Sequence, residues 1–239
     1  MRNRLLIIAC ILFLGISIKS ACSAAYITNG DFSLNYTGWT REQNDTYYSN
    51  STFFKILGTT NPYAQVSIDL DLNGDGITDT NAIACDLYQA PDFSAPPGSK
   101  LTLSFDWLFD GDPTINPILD NDTFNVFFDD GSGATYDAKG ISDFLVQTYT
   151  YSPTWKHFCT DVSYYLNTPN TYYLTFQLES SFGSNGNNYW ASHFCLDNVQ
   201  ITVTSPSSTV PEPSTVFLLV NGLLGVYVFI RKNRLNTNI

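Results

Sequence analysis

Short runs with β character, separated by turn-forming clusters, constrain the fold of this chain most. Between residues 25 and 210 helical periodicity is hard to find, while β-branched and aromatic residues recur in short runs. Clusters such as Pro96–Gly98 and Asp129–Gly133 separate the runs. This pattern predicts an all-β fold, an antiparallel β-sandwich. The predicted strands are Ala64–Leu70, Ala82–Tyr88, Lys100–Phe109, Phe124–Phe128, Trp155–Val162, Thr171–Leu178 and Phe194–Val203.

The N-terminal segment has the three parts of a secretory signal peptide. Arg2 and Arg4 precede an apolar run from Leu5 to Ile18, and small residues follow that run. We therefore predict a signal helix within residues 1–24 and cleavage by signal peptidase after Ala24. The mature protein would then be exported, with its sandwich domain over residues 25–203.

The C-terminal segment also has three parts. Residues 204–210 form a Ser/Thr/Pro linker, and Pro211, Glu212 and Pro213 follow it. Next come an apolar stretch over residues 216–230 and a basic cluster that begins at Arg231. The apolar stretch predicts a short transmembrane helix, and the basic cluster places the C-terminus on the cytoplasmic side before processing.

This order of parts resembles the PEP-CTERM sorting signal, here over residues 211–234, with residues 235–239 as a polar tail. The resemblance implies a bacterial protein of the cell envelope, outer surface or extracellular matrix. It also implies an exosortase, a membrane protease that recognises and cuts the tail, as a partner. A plain C-terminal membrane anchor is the alternative.

The charge of the middle segment excludes some partners. It holds all but one of the 22 acidic residues of the chain and only five of the 11 basic ones. So acidic a domain repels nucleic acid and anionic lipid headgroups, and it suits divalent cations or neutral sugars better. Nearly all of the acids are Asp, which favours turns and is a hard oxygen ligand for calcium.

Two short motifs mark the ends of the middle segment. It opens with Asn29-Gly30-Asp31-Phe32 and then Gly38-Trp39, and it closes with Asp197-Asn198-Val199. This combination resembles the jelly-roll carbohydrate-binding modules and their galactose-binding-like relatives. The resemblance implies a jelly-roll β-sandwich with a structural Ca²⁺ between the N-terminal segment and the last strand, held by Asp197.

A second candidate calcium site lies in the segment that starts at Asp71. Oxygen-bearing residues alternate there as in the front half of an EF-hand loop, but the twelfth position, where a bidentate acid belongs, is Ala82. Because the flanking residues look like strands, we interpret the segment as a calcium-holding β-hairpin loop. A hairpin turn without an ion is the alternative. The expected ligands are Asp71, Asn73 and Asp75 by side chain, Ile77 by its carbonyl, and Asp79 directly or through water.

Three cysteines remain in the mature chain. Cys159 follows His157 by two residues, and Cys195 follows His193 in the same way. Export favours a disulfide, and we predict a bond between Cys159 and Cys195, with Cys85 as a small core residue. A Cys₂His₂ zinc site formed by the two pairs, or two buried free thiols, are the alternatives.

The sequence gives little support for catalysis, and we assign no catalytic residue. It has no nucleophile elbow, phosphate-binding loop or metalloprotease helix. Its tryptophans and tyrosines could stack on sugar rings, but we expect most of them to be core residues, so the ligand-binding residues stay unassigned. We expect a non-catalytic surface protein, stabilised by calcium and associated with extracellular polysaccharide. The alternatives are a small secreted glycan-active hydrolase or lyase and a purely structural matrix protein.

Overall fold

The computed structural model describes residues 26–74, 79–80, 82–111, 122–180, 191–206, 220–224 and 227. Their strands form two antiparallel sheets that enclose one hydrophobic core, so the predicted all-β sandwich is confirmed. The strands are β1 Thr40–Gln43, β2 Phe54–Leu57, β3 Tyr63–Ile68, β4 Ala84–Gln89, β5 Lys100–Asp110, β6 Thr123–Asp129, β7 Thr135–Tyr136, β8 Val146–Thr148, β9 Ser152–Asp161, β10 Tyr173–Glu179 and β11 Ser192–Thr204. A short helix α1, Asn50–Phe53, precedes β2, and a 3₁₀ turn, Ser163–Tyr165, follows β9.

The two sheets draw on strands that are distant in sequence. The first has the order β1-β4-β10-β6-β7, with β8 also paired to β6, and we call it the six-stranded sheet. The second, the five-stranded sheet, has the order β2-β3-β11-β5-β9. Each of the seven predicted runs overlaps one strand, whereas the short strands β1, β2, β7 and β8 were not predicted. β1 has the sequence Thr-Arg-Glu-Gln, which lacks the apolar alternation that marks a strand.

Aromatic side chains join the two sheets across the core. Phe105 of β5 contacts Phe176 of β10 with ring centroids 5.1 Å apart, and Phe124 of β6 contacts Phe194 of β11 at 4.7 Å. All four side chains are fully buried. Burial of each such side chain contributes roughly 1.5–3 kcal/mol to folding, so these pairs are major sources of cohesion between the sheets.

The opening and closing motifs of the sequence meet in space. The carbonyl of Gly30 accepts a hydrogen bond from the backbone N–H of Val199, with N and O 2.9 Å apart. β11 has a register shift between Asp197 and Gln200 at this point, and Asn198 adopts a left-handed φ of 52°. The N-terminal loop is thereby fixed to the bulge of the last strand.

Most of the two terminal segments lies outside the described residues. The predicted signal helix, the cleavage site and the Pro211-Glu212-Pro213 motif are all outside them. Only residues 220–224 and 227 of the predicted transmembrane helix are described. Within the described residues, no helix has the length and apolar character needed to span a bilayer.

Candidate functional site

The outer face of the six-stranded sheet carries polar side chains where it meets solvent. In β6 the side chains of Phe124, Val126 and Phe128 point into the core, so Asn125 and Phe127 belong to the outer face. The same alternation puts Leu174, Phe176 and Leu178 of β10 into the core and leaves the residues between them outside. Strand periodicity therefore sets which residues this face presents.

Five outer residues from five different strands stand in register across the sheet. Glu42 lies opposite Asp86, Asp86 opposite Gln177, Gln177 opposite Asn125, and Asn125 opposite Gln147. We call this set the polar row. Since neighbouring strands lie about 4.8 Å apart, its four steps extend about 19 Å perpendicular to the strands.

Amide hydrogen bonds connect one end of the polar row. The Asn125 amide Nδ2 donates to Gln177 Oε1 over 3.2 Å and to Glu179 Oε2 over 3.4 Å. Gln147 Nε2 in turn donates to Asn125 Oδ1 over 3.2 Å. These side chains hold one another in place at this end of the row, where Asn125 is only 1% exposed, Gln177 is half-buried and Gln147 is exposed.

Two tyrosines flank the polar row. Tyr88 lies two residues along β4 from Asp86, and its hydroxyl donates to Glu42 Oε1 over 2.6 Å. This bond raises the pKa of Tyr88 to about 12. The Tyr173 ring contacts that of Tyr88 edge-on, with centroids 5.6 Å apart. Both rings are partly exposed, whereas Phe127 is only 5% exposed and packs against Phe144. We call the polar row together with Tyr88 and Tyr173 the platform.

Asp86 is the least ordinary member of the platform. Burial raises the pKa of its carboxyl to about 6, nearby Glu42 and Glu179 act in the same direction, and the Gln177 side chain opposes them. Its Oδ1 atom is shielded from water and has no hydrogen-bond partner among the described residues. A buried oxygen of this kind is costly unless a proton or a bound group satisfies it.

Asp197, the residue expected to hold a structural calcium, lies on the outer face of the five-stranded sheet. It is only 4% exposed, and its carboxylate accepts hydrogen bonds from Asn61 Nδ2 at 3.0 Å and from the Asn198 N–H at 2.7 Å. The Asn198 amide donates to Asp106, and Asp106 contacts His157 Nδ1 at 2.7 Å. Burial raises the pKa of Asp197, and these amide donors oppose that effect.

The segment that starts at Asp71 is not the predicted β-hairpin loop, because it connects β3 of the five-stranded sheet to β4 of the six-stranded sheet and these strands do not pair. We call it the Asp71 loop, and its described part is organised by hydrogen bonds. Asp79 Oδ2 accepts the backbone N–H groups of Leu72 at 2.7 Å and Asn73 at 3.1 Å. Asp71 Oδ1 accepts the N–H of Gly74 at 2.6 Å. The other two expected ligands, Asp75 and Ile77, lie outside the described residues, so calcium binding here stays a prediction. In the part of the chain that the structure describes, no three His, Cys, Asp or Glu residues converge as a metal site.

The disulfide prediction is wrong for this structure. Cys159 and Cys195 are free thiols, as is Cys85, which is buried as expected. Cys159 lies opposite Ser104 and Cys195 lies opposite Leu108, on the two sides of β5. Two strand spacings alone separate them by roughly 9.6 Å, beyond the ~7 Å that a disulfide spans between Cα atoms.

The intervening strand also keeps the two His-Cys pairs apart, so they do not form the alternative zinc site. His157 lies opposite Asp106 and His193 opposite Asp110, each on its own side of β5. Cys159 is exposed and Cys195 is buried, and burial raises the pKa of Cys195 to about 12. The repeated His-Phe-Cys pattern therefore reflects two similar strands and not one site.

Comparisons with known proteins give partial likenesses of fold. No family model matches this chain, and no curated protein sequence does. One solved structure is the enzymatically active domain of bacteriophage CBA120 tailspike protein 4, with 14% identity, a TM-score of 0.44, and coverage of 75% of this chain. This chain spans about a fifth of that protein, 21%.

Two other solved structures are carbohydrate-binding modules. "Family 16 Carbohydrate Binding Module-2" is 13% identical with a TM-score of 0.39, and 74% of this chain and 99% of that one are covered. The family 11 module of a Clostridium thermocellum cellulosomal cellulase is 16% identical with a TM-score of 0.37, with 75% and 95% covered. All three TM-scores are below 0.5, so the function of this chain has to be argued from its own residues.

Proposed function

We propose that this domain binds a neutral polysaccharide on the platform of the six-stranded sheet. The observation that most supports this proposal is the polar row, which stands in register across five strands beside two partly exposed tyrosines. Its members are Glu42, Asp86, Gln177, Asn125 and Gln147. Carboxylate and amide groups form directional hydrogen bonds with hydroxyl groups, and tyrosine rings pack against the apolar faces of sugars. A row of about 19 Å suits an extended oligosaccharide better than a single sugar.

The charge of the row supports a neutral ligand. It contains two carboxylates, a third from Glu179 adjoins it, and it contains no Lys or Arg. An anionic polysaccharide would be repelled there, since like charges at close range cost free energy. The acidity of the whole middle segment acts in the same direction at longer range.

Export completes the proposed function and rests on the terminal segments. The signal-like N-terminus and the Pro211-Glu212-Pro213 tail support secretion, processing by signal peptidase and sorting by an exosortase. A polysaccharide-binding domain delivered in this way would hold the protein in the extracellular matrix. Calcium at Asp197 or the Asp71 loop is proposed as a stabiliser and not as part of the ligand site.

The experiment is a binding titration of the full chain with soluble polysaccharides. Mixed-linkage β-glucan, xylan and galactomannan serve as neutral probes, and alginate serves as the anionic one. We expect at least one neutral probe to bind, and Tyr88→Ala and Gln177→Ala each to weaken that binding by roughly tenfold. Trp155→Ala, on the outer face of the other sheet, is the matched control and should bind as the unmodified chain does.

Two results would overturn this proposal. One is preferential binding of alginate, and the other is equal affinity in the Tyr88, Gln177 and Trp155 variants. Failure of all the neutral probes, with the fold verified by circular dichroism, would also count against it.

A second function, hydrolysis of the bound glycan, is favoured by one observation. Asp86 lies directly opposite Glu42, and its pKa is raised to about 6, so the sheet pairs a carboxyl that keeps its proton up to about pH 6 with a second carboxyl group. Glycosidases use such a pair as acid and base. Release of reducing ends from a bound probe, abolished in Asp86→Asn and in Glu42→Gln, would establish hydrolysis. Binding without release would leave the domain as a binding module.

A further inference from the structure

β9 is an unusually long free edge of this sandwich. It has ten residues, while the strands β2, β1 and β7, at the other ends of the two sheets, have four, four and two. One side of β9 pairs with β5. On its other side, no backbone group of the described residues forms a hydrogen bond with residues 152–161. Unpaired strand edges are templates for another strand.

We propose that two copies of this chain pair through their β9 edges, antiparallel about a twofold axis that passes beside Cys159. Residues that lie opposite one another in a sheet have their side chains on the same face. A twofold axis perpendicular to the sheet therefore pairs each β9 residue either with itself or with one an even number of positions away. One residue of β9 must then lie opposite itself. The polar side chains on β9 select which residue that is.

Centring the pairing on Cys159 places a histidine ring opposite a carboxylate at both ends of a five-residue stretch. His157 of each copy then lies opposite Asp161 of the other, and both side chains are exposed in the single chain. Centring on Phe158 would place His157 against Cys159, and centring on His157 would place Asp161 against Pro153. Of these three registers, only the one centred on Cys159 places His157 opposite a carboxylate.

The residues that usually protect an edge lie outside this stretch. Pro153 cannot donate a ladder hydrogen bond, and a Lys such as Lys156 discourages strand addition. Both precede His157, so residues 157–161 remain open to pairing. The pairing extends the five-stranded sheet into a ten-stranded one and leaves the platform on the other sheet free.

Cys159 reports this register directly. Residues opposite one another in antiparallel strands have Cβ atoms about 4.5–5.5 Å apart, close to the ~3.8 Å of a disulfide. Treatment of the full chain with oxidised glutathione should therefore link the two copies. Two thiols lose two protons and two electrons to form the S–S bond, and the oxidant becomes two molecules of reduced glutathione.

The first experiment measures the rate of this cross-link on non-reducing gels. All variants carry Cys10→Ser and Cys22→Ser, which remove the two thiols of the N-terminal segment. In that background Cys159→Ser should abolish the cross-link, and a chain with Cys85→Ser and Cys195→Ser should retain it. The control for random collision carries Cys159→Ser and Ser132→Cys, which moves the thiol to an exposed turn. Cross-linking through Cys159 should be at least about tenfold faster than through position 132, because only the former is held against its counterpart. Equal rates would overturn the proposed register.

The second experiment removes the thiol chemistry. Under reducing conditions, sedimentation equilibrium of the full chain should show a dimer that Asp161→Lys weakens. Asp92→Lys is the matched control, because Asp92 and Asp161 each accept the N–H of a Ser two residues on, and only Asp161 is on β9. A reduced chain that is monomeric at every concentration, or equal effects of the two variants, would refute the pairing.

Discussion

Asp86 shows how one position on a sheet face acquires unusual protonation behaviour. It lies between Glu42 on one neighbouring strand and Gln177 on the other, so burial and a carboxylate both disfavour its charged form. The carboxyl of an unfolded chain titrates near 3.9, well below the value of about 6 in the fold. The folded state therefore binds the proton more tightly, and the stability contributed by this group is present below about pH 4 and lost as the pH rises to about 6.

Asp86→Asn should consequently stabilise the domain at neutral pH. The amide cannot ionise, so the free energy of unfolding at pH 7.5 should rise by up to about 2–3 kcal/mol, with little change at pH 3.5. Urea denaturation at several pH values measures this. Asp92→Asn is the control, and it should lower the free energy of unfolding at pH 7.5, because hydrogen bonds from Ser94 lower the pKa of Asp92 and so stabilise its charged form. A stability loss in Asp86→Asn at pH 7.5 would contradict the raised pKa.

At the scale of elements, the bulge of β11 organises one end of the sandwich. The bulge lets the Val199 N–H bond the Gly30 carbonyl and lets the Asn198 side chain reach Asp106. A β-bulge redirects side chains in this way because two residues face one on the neighbouring strand. The N-terminal loop, β11 and β5 are thus fixed together at one point.

Gly30→Ala should destabilise the domain strongly. A Cβ at position 30 would lie 1.8 Å from the Val199 carbonyl oxygen, so the loop has to move and its hydrogen bond is lost. Together, overpacking and the lost bond should cost about 3 kcal/mol. Gly133→Ala is the control, since an added Cβ there meets nothing within 4 Å and only the left-handed φ of 83° is strained, for about 1 kcal/mol. Equal urea midpoints for the two variants would show that the close approach at Gly30 is absent.

Calcium should stabilise the fold if either proposed site binds it. At a hundredfold excess over Kd a single site raises the free energy of unfolding by about 2.7 kcal/mol. Magnesium should stabilise much less, because it demands tight octahedral geometry. In melting experiments, Asp75→Ala should remove the stabilisation from the Asp71 loop, and Asp197→Asn should remove that from the second site. Identical curves in calcium, magnesium and chelator would exclude both sites.

At the scale of the whole molecule, the sandwich separates two surfaces by their chemistry. The platform lies on the outer face of the six-stranded sheet, and the free edge of β9 belongs to the five-stranded sheet. Self-association through β9 would leave two platforms available in one particle. Bivalent binding of one polysaccharide raises the apparent affinity without new contacts.

Processing of the termini is the corresponding prediction for the whole chain. We expect the mature protein to begin near Ala25 and to end near Pro211–Pro213, because the signal and the sorting tail are both removed. Mass spectrometry of the cell-envelope fraction measures both ends. Recovery of mature protein that retains Arg231 would reject cleavage by an exosortase and leave a simple membrane anchor.

Local pattern determined much of the fold. Seven strands were predictable because apolar residues alternate in them and Gly, Pro, Asn or Asp residues end them, which is a property of neighbouring residues. β1 and β8 were missed because they have no apolar alternation of their own, and pairing with β4 and β6 supplies their hydrogen bonds. The sequence predicted that most tryptophans belong to the core but not which ones are exposed: Trp39 and Trp107 are 7% exposed, whereas Trp155 is 45% exposed.

The sites depended on strand order, which no local pattern contains. The members of the polar row are up to 135 positions apart, and they meet only because β10 pairs with both β4 and β6. The disulfide prediction failed for the same reason, since similar surroundings of two cysteines do not show that their strands are neighbours, and β5 separates these two strands. The sequence by itself determined that this chain forms a sandwich of strands with an aromatic core. Long-range hydrogen bonding and packing between the sheets decided which residues share a surface, because register and neighbour choice are settled only when distant strands pair.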